Sequence, residues 1–132
     1  MWREVTVAAA SLPGAKETVR AKQEGWLNVR TPGQQGLVAM LRGSLDEGEA
    51  EAIALSSELR ASLLLMDETE GRAAARAMGL EVTGTLGVLL RGKREGKVPI
   101  LKPILDQLMH QHGFRLSRRL YEQVLGEVGE IP

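Results

Sequence analysis

The sequence predicts an α/β fold in which helices cover a short parallel sheet. Two stretches carry that prediction. "SLLLM", Ser62 to Met66, is apolar without alternation, which is the pattern of a short strand buried on both faces. A helical stretch and then "LEVTG" follow it, so strand, helix and strand make one right-handed crossover unit. The remainder reads as helices punctuated by Gly and Pro, with one further short strand candidate before these two stretches. The length of 132 residues suits one domain with a single core.

Taken in order, "MWREVTVAAA" is helical from its first residues, with Trp2 and Val5 at helical spacing and no cap before them. "SLPGAKETVRAKQEGW" places Pro13 near a helix start and Gly25 near its end. "WLNVR", Trp26 to Arg30, is a strand candidate, "TPGQQG" a loop, and "LVAMLRGS" one or two helical turns closing at Gly43. Asp46 and Glu49 have the spacing of a capping box at the start of a helix whose apolar face is Ala50, Ile53, Ala54 and Leu59. After the "SLLLM" strand, Asp67 opens "ETEGRAAARAM", with Glu70 as a second capping-box partner and Gly79 at the C′ position. Three helices complete the chain: "TLGVLLRGKREG", "PILKPILDQLMHQHG" and "LSRRLYEQVLGEVGE". The last has an apolar stripe of Leu120, Tyr121, Val124, Leu125 and Val128.

Composition narrows the chemistry. Lys+Arg and Asp+Glu both count 17, so any electrostatic argument must be local. Cysteine is absent, which excludes disulfides, zinc thiolate sites and cysteine nucleophiles. No apolar run approaches the roughly 20 residues of a membrane span, and the first residues lack the features of a signal peptide. The expectation is a cytoplasmic protein with no membrane partner.

The acids admit two readings. Asp67 directly follows the apolar strand, where ligands of open parallel sheets bind. Glu49 begins the preceding helix, whose N-terminus returns toward the same strand end, and Glu51 and Glu68 stand close by. They therefore cap two helices or converge on a hydrated metal ion shared by Glu49 and Asp67. His110 and His112 are two apart on a helix end, do not share a face, and are expected in solvent. "GTLG", Gly84 to Gly87, matches no phosphate-loop pattern. The basic cluster "RGKREGK", Arg91 to Lys97, is either a solvated helix tail or a phosphate-contacting patch.

The succession "GEAEAIALS…LLLMDE…GLEVTGTLGVLLRGKREG", with the ending "LKPILDQLMHQHGFRLSRRLYEQVLGEVGE", closely resembles PIN-domain proteins, in a branch described as nucleic-acid-binding. The order and spacing of these motifs cover essentially the whole chain. The resemblance implies a Rossmann-like α/β/α sandwich. It implies a metal-dependent ribonuclease acting on RNA, with many relatives being toxins of VapC-type toxin–antitoxin pairs, and hence a possible cognate antitoxin. It also implies Mg²⁺ or Mn²⁺ held by three or four clustered acids. Carried over, the second acid matches Glu4, the third Glu49, and the fourth Asp67 with Glu68 beside it. Arg91, Lys93 and Arg94, with Arg118 or Arg119, would then hold the RNA backbone.

The family's first acid, which ends its first strand in an Asp-Thr or Asp-Ser motif, has no counterpart in this sequence. The resemblance therefore implies a PIN domain without its first strand, first helix and second strand, and an initiator that lies inside a longer frame. On this reading residues 1–132 are one PIN-like domain, with 1–97 as its core and 98–132 as a helical extension. Apolar surface left where the absent elements would pack implies a homodimer. The alternatives are a catalytically inactive PIN-like module that binds nucleic acid or protein, and a truncated reading of an active nuclease.

Overall fold

The structure, a computed structural model, describes residues 1–131. It divides into two compact units, Met1–Val82 and the segment from Thr83 onward. The division falls within a strand.

The first unit opens with a π-helical segment, Glu4–Ala8, that has no side-chain cap. Helix α1, Ala15–Gln23, follows after Gly14, whose φ of 93° only glycine adopts readily. Gly25 ends α1 with φ 85°, and its N–H reaches the Lys22 carbonyl at 3.1 Å. "WLNVR" then runs on without strand pairing. This corrects the strand expected there. A strand needs a ladder partner, and none reaches this segment, where Trp26 is 72% exposed and Val29 is exposed as well.

Helix α2, Gln35–Leu41, packs on α3, Glu47–Leu59. The loop between α1 and α2 is tied to α3 by the Gly33 N–H, donated to Glu58 Oε2 at 2.8 Å. At the start of α3 the capping box forms as the sequence predicts. Asp46 Oδ1 accepts the Glu49 N–H at 2.8 Å, and Glu49 Oε2 accepts the Asp46 N–H at 3.2 Å. Ala50, Ile53 and Ala54 are fully buried and form the floor of the core with Val38, Leu64 and Met66. Leu59, expected on this face, is exposed. Burying Ile53 contributes about 1.5–3 kcal/mol by transfer alone.

Strand β1, Leu64–Leu65, pairs in parallel with β2, Val82–Thr83, and the Leu64 N–H reaches the Glu81 carbonyl at 2.8 Å. The strand is buried on one face only: Leu64 and Met66 point into the core, while Leu65 is 61% exposed. Burial on both faces was expected. It does not occur because the sheet has two strands and packs its helices on one side. Helix α4, Thr69–Ala77, connects the strands. It ends as predicted at Gly79, in a Schellman motif with Leu80 N–H to Ala75 O at 3.0 Å and Gly79 N–H to Arg76 O at 2.9 Å. Its start departs from prediction. The N-cap is Glu68, with no side-chain cap bond. Asp67 and Glu70 therefore do not form a second box. The helix begins one residue late for that spacing, which moves Glu70 from the third helical position to the second.

The second unit is helical: α5, Thr85–Arg94; α6, Lys102–Gln111; and α7, Arg118–Glu127. Leu101, Leu105, Val124 and Leu125 are its buried core. Leu86, Leu89 and Leu90 of α5 pack on that core, so α5 shares it with the two later helices. Tyr121 and Val128 join the predicted stripe, whereas Leu120 is exposed. Gly87 is needed in α5, since a Cβ there would lie far inside contact distance of Thr83 Oγ1.

Candidate functional site

The N-termini of α3 and α4 open onto one cleft of about 470 Å³, lined by Ser44, Asp46, Glu49, Glu68, Thr69 and Glu70. The local sequence explains why they meet. The two helices flank β1, and Gly71, in the first turn of α4, lets them approach. A Cβ on Gly71 would overlap the buried Met66 sulfur and lie 3.6 Å from the Glu49 carboxyl carbon. Glu49 therefore stands half-buried against the first turn of α4. Both helix N-termini present positive dipole ends, which favours carboxylates at this place.

Of the acids expected at the site, the cleft brings together Glu49 and Glu68. Asp67 precedes Glu68 directly but is not among the lining residues; its carbonyl accepts a hydrogen bond from Arg72 Nη1. Glu4 lies in the π-helical segment, 77% exposed, and pairs with the Met1 amino group at 3.1 Å. The Met1 side chain in turn approaches Gly48 in the first turn of α3, with its methyl 4.0 Å from a Cβ built there. Asp46 and Glu70 line the cleft too, although the sequence marks them only as caps. The signal that finds them is spatial, because two capping positions face each other once the helices flank one strand.

The donors suit a hard divalent cation, which prefers carboxylate oxygen. Their arrangement does not. Among the described residues no group of three or more His, Cys, Asp or Glu side chains is placed to hold a metal ion. Asp46 and Glu49 already spend carboxylate oxygens on each other's backbone N–H groups. The acids of this cleft are thus gathered, but they are not a formed metal centre.

The basic cluster of the second unit is largely neutralised. Arg91 pairs with Glu95 at 2.7 Å, and Lys97 pairs with the same carboxylate at 2.8 Å. The Arg91 hydrogen bond, then the one from Lys97, holds the Glu95 carboxyl down at about 2. Lys93, 21% exposed, lies 2.8 Å from Glu130 and donates to the Pro99 carbonyl at 2.6 Å. Among the described residues Arg94 has no ion pair. Glu130 is set in place by a Schellman motif at the end of α7, with Glu130 N–H to Leu125 O at 2.9 Å. Its carboxylate accepts the N–H groups of Leu101 at 2.6 Å and Lys102 at 2.7 Å. Those contacts, the Leu101 amide first and then Lys93, hold the Glu130 carboxyl down at about 2. His110 and His112 are exposed as expected, and His110 Nδ1 lies 2.6 Å from the Asp106 carbonyl.

A short parallel sheet flanked by helices, with acids gathered where two helices begin beside one strand, defines a small α/β protein. A family model described as a PIN domain matches residues 1–130, and the chain belongs to the PIN-domain family. No curated protein and no solved structure matches it. Among the described residues no helix is long and apolar enough to cross a membrane.

Proposed function

We propose that the chain acts on RNA as a PIN-family ribonuclease dependent on Mg²⁺ or Mn²⁺, in the cytoplasm, as the toxin of a toxin–antitoxin pair and as a homodimer. One observation carries this reading beyond family membership: Asp46, Glu49, Glu68 and Glu70 line a single cleft. Four carboxylates around one opening repel an RNA phosphate unless a cation intervenes. Glu49 is the residue most committed to the cleft, with Glu68 opposite. Asp67 and Glu4 belong to the acid set only by family correspondence. Arg91, Lys93 and Arg94 are candidates for the RNA backbone, and among the described residues Arg94 is the one of the three without an ion pair.

A second reading, an RNA-binding module that does not hydrolyse its ligand, is favoured by a different observation: among the described residues no three donors converge, and the capping box occupies Asp46 and Glu49. The two readings separate in one assay. Single-stranded RNA is incubated with the full chain and Mn²⁺, beside Glu49→Gln and Asp67→Asn. Glutamine also serves at the third position of a capping box, so Glu49→Gln removes the charge and keeps the helix start. The nuclease reading expects cleavage by the parent and a loss on the order of a hundredfold in Glu49→Gln, about 3 kcal/mol. RNA bound but left intact by the parent supports the second reading.

A further inference from the structure

The second unit carries a basic surface that the proposed site does not use. Between Asp106 and Glu122 the chain contains no acid, yet it holds His110, His112, Arg115, Arg118 and Arg119, all exposed. The backbone beneath them is fixed. The N–H groups of His112 and Phe114 both reach the Leu108 carbonyl, at 3.2 and 3.0 Å, and Gly113 makes the turn with φ 65°. Leu116 packs into the core of the unit, and Ser117 caps α7 by accepting the Leu120 N–H at 3.2 Å. The charged side chains therefore stand on an anchored loop and the first turn of a helix. Arg118 is paired, with Glu122 at 2.8 Å, but the Arg115 and Arg119 side chains form no ion pair or hydrogen bond among the described residues. In the Arg91–Lys97 cluster, by contrast, Glu95 and Glu130 already hold all the cations except Arg94.

We propose that the His110–Arg119 surface is a phosphate-contacting platform for single-stranded RNA, with Arg115 and Arg119 as its principal backbone contacts. Guanidinium groups free of carboxylate partners match phosphate geometry and keep their charge. The flanking imidazoles add hydrogen-bonding edges. Its run of basic residues without an acid between Asp106 and Glu122 favours a polyanion over a folded peptide segment. This inference rests on the reading of RNA as the ligand and deepens it.

The test is binding of a fluorescent single-stranded RNA of about twelve nucleotides, a length that spans one typical single-strand site. EDTA is present, and the salt is varied between about 50 and 200 mM. The full chain is compared with the Arg115→Gln/Arg119→Gln double variant and with Arg30→Gln. Circular dichroism melting should be unchanged in both, because the substituted groups hold nothing in the fold. The double variant is expected to bind about tenfold more weakly at low salt. Its log–log salt slope should be shallower by about 1.4, given about 0.7 per phosphate contact on single strands. Arg30→Gln, an exposed arginine of the first unit, is expected to stay within about twofold of the parent.

Equal binding by parent and double variant overturns the proposal, as does an equal loss in Arg30→Gln. Displacement of RNA by oligoglutamate at lower concentration than by unlabelled RNA also overturns it, and points to an acidic protein partner instead. Because the assay contains EDTA, it is independent of hydrolysis. A chain that cleaves RNA but binds it equally well without Arg115 and Arg119 ends this proposal and leaves the nuclease reading standing. A chain that binds through them and never cleaves does the reverse.

Discussion

The two units use the same chemistry, a carboxylate at a helix N-terminus, to different ends. In the second unit Glu130 is spent entirely on structure. Two backbone N–H groups at the start of α6 and the Lys93 ammonium surround it, and only 10% of the side chain is exposed. In the first unit Asp46 and Glu49 close a capping box, but Glu68 and Glu70 face the same cleft without making a cap. An acid whose oxygens are filled by N–H donors is a clamp. Several acids left facing one opening are a charge waiting for a counterion. Sequence position at a helix start does not distinguish the two cases, whereas the partners do.

The largest effects come from breaking the cores. Ile53→Ala in the first unit and Leu105→Ala in the second each remove a fully buried side chain, and each is expected to cost about 2–5 kcal/mol. Hydrogen exchange should show each loss of protection concentrated in its own unit. Protection lost equally throughout the chain from either substitution would mean that the two units unfold as one.

The next effect concerns the clamp. The Glu130 carboxyl is held at about 2 against an ordinary 4.5. Its folded value lies below its unfolded one, so its contribution is complete above about 4.5 and is lost as the pH falls toward 2. Protection of α6 and the end of α7 should fall across that window. Glu130→Gln should lower the melting temperature at pH 7 by several degrees and flatten the acid slope. An unchanged acid slope in Glu130→Gln would show that other carboxylates govern it.

The smallest effect tests the cap. Asp46→Ala removes the side-chain acceptor for the Glu49 N–H and is expected to cost about 1 kcal/mol, read as a lower urea midpoint with an unchanged slope. Little or no destabilisation would mean that Asp46 belongs to the cleft more than to the helix.

Features that depend on neighbours in sequence were legible in it. The Asp46–Glu49 box, the Gly25 and Gly79 helix ends and the buried trio Ala50, Ile53 and Ala54 all follow from spacing within one or two turns. So do the three C-terminal helices. Features that depend on distant partners were not. "WLNVR" has strand composition but no strand beside it, and Leu65 is apolar on the uncovered face of a two-stranded sheet. The start of α4 slipped by one residue, enough to dissolve the Asp67–Glu70 box. At the site, the sequence pairs Glu49 with Asp67 because both stand at helix starts beside one strand, and the cleft gathers Glu49 with the neighbouring Glu68 instead. The neutralisation of Lys93 was not, since Glu130 reaches it only after α6 and α7 fold back.

The central proposal is that the acids of the first unit take a cation in spite of their unformed arrangement, while Glu130 of the second unit does not. Titration of Mn²⁺ into the full chain, followed by calorimetry, tests it most directly with Glu49→Gln and Glu130→Gln as the pair of variants. The account predicts that the parent binds Mn²⁺, that Glu49→Gln weakens binding by about tenfold or more, and that Glu130→Gln leaves it unchanged. Binding that survives Glu49→Gln intact, or that fails in Glu130→Gln instead, would contradict it.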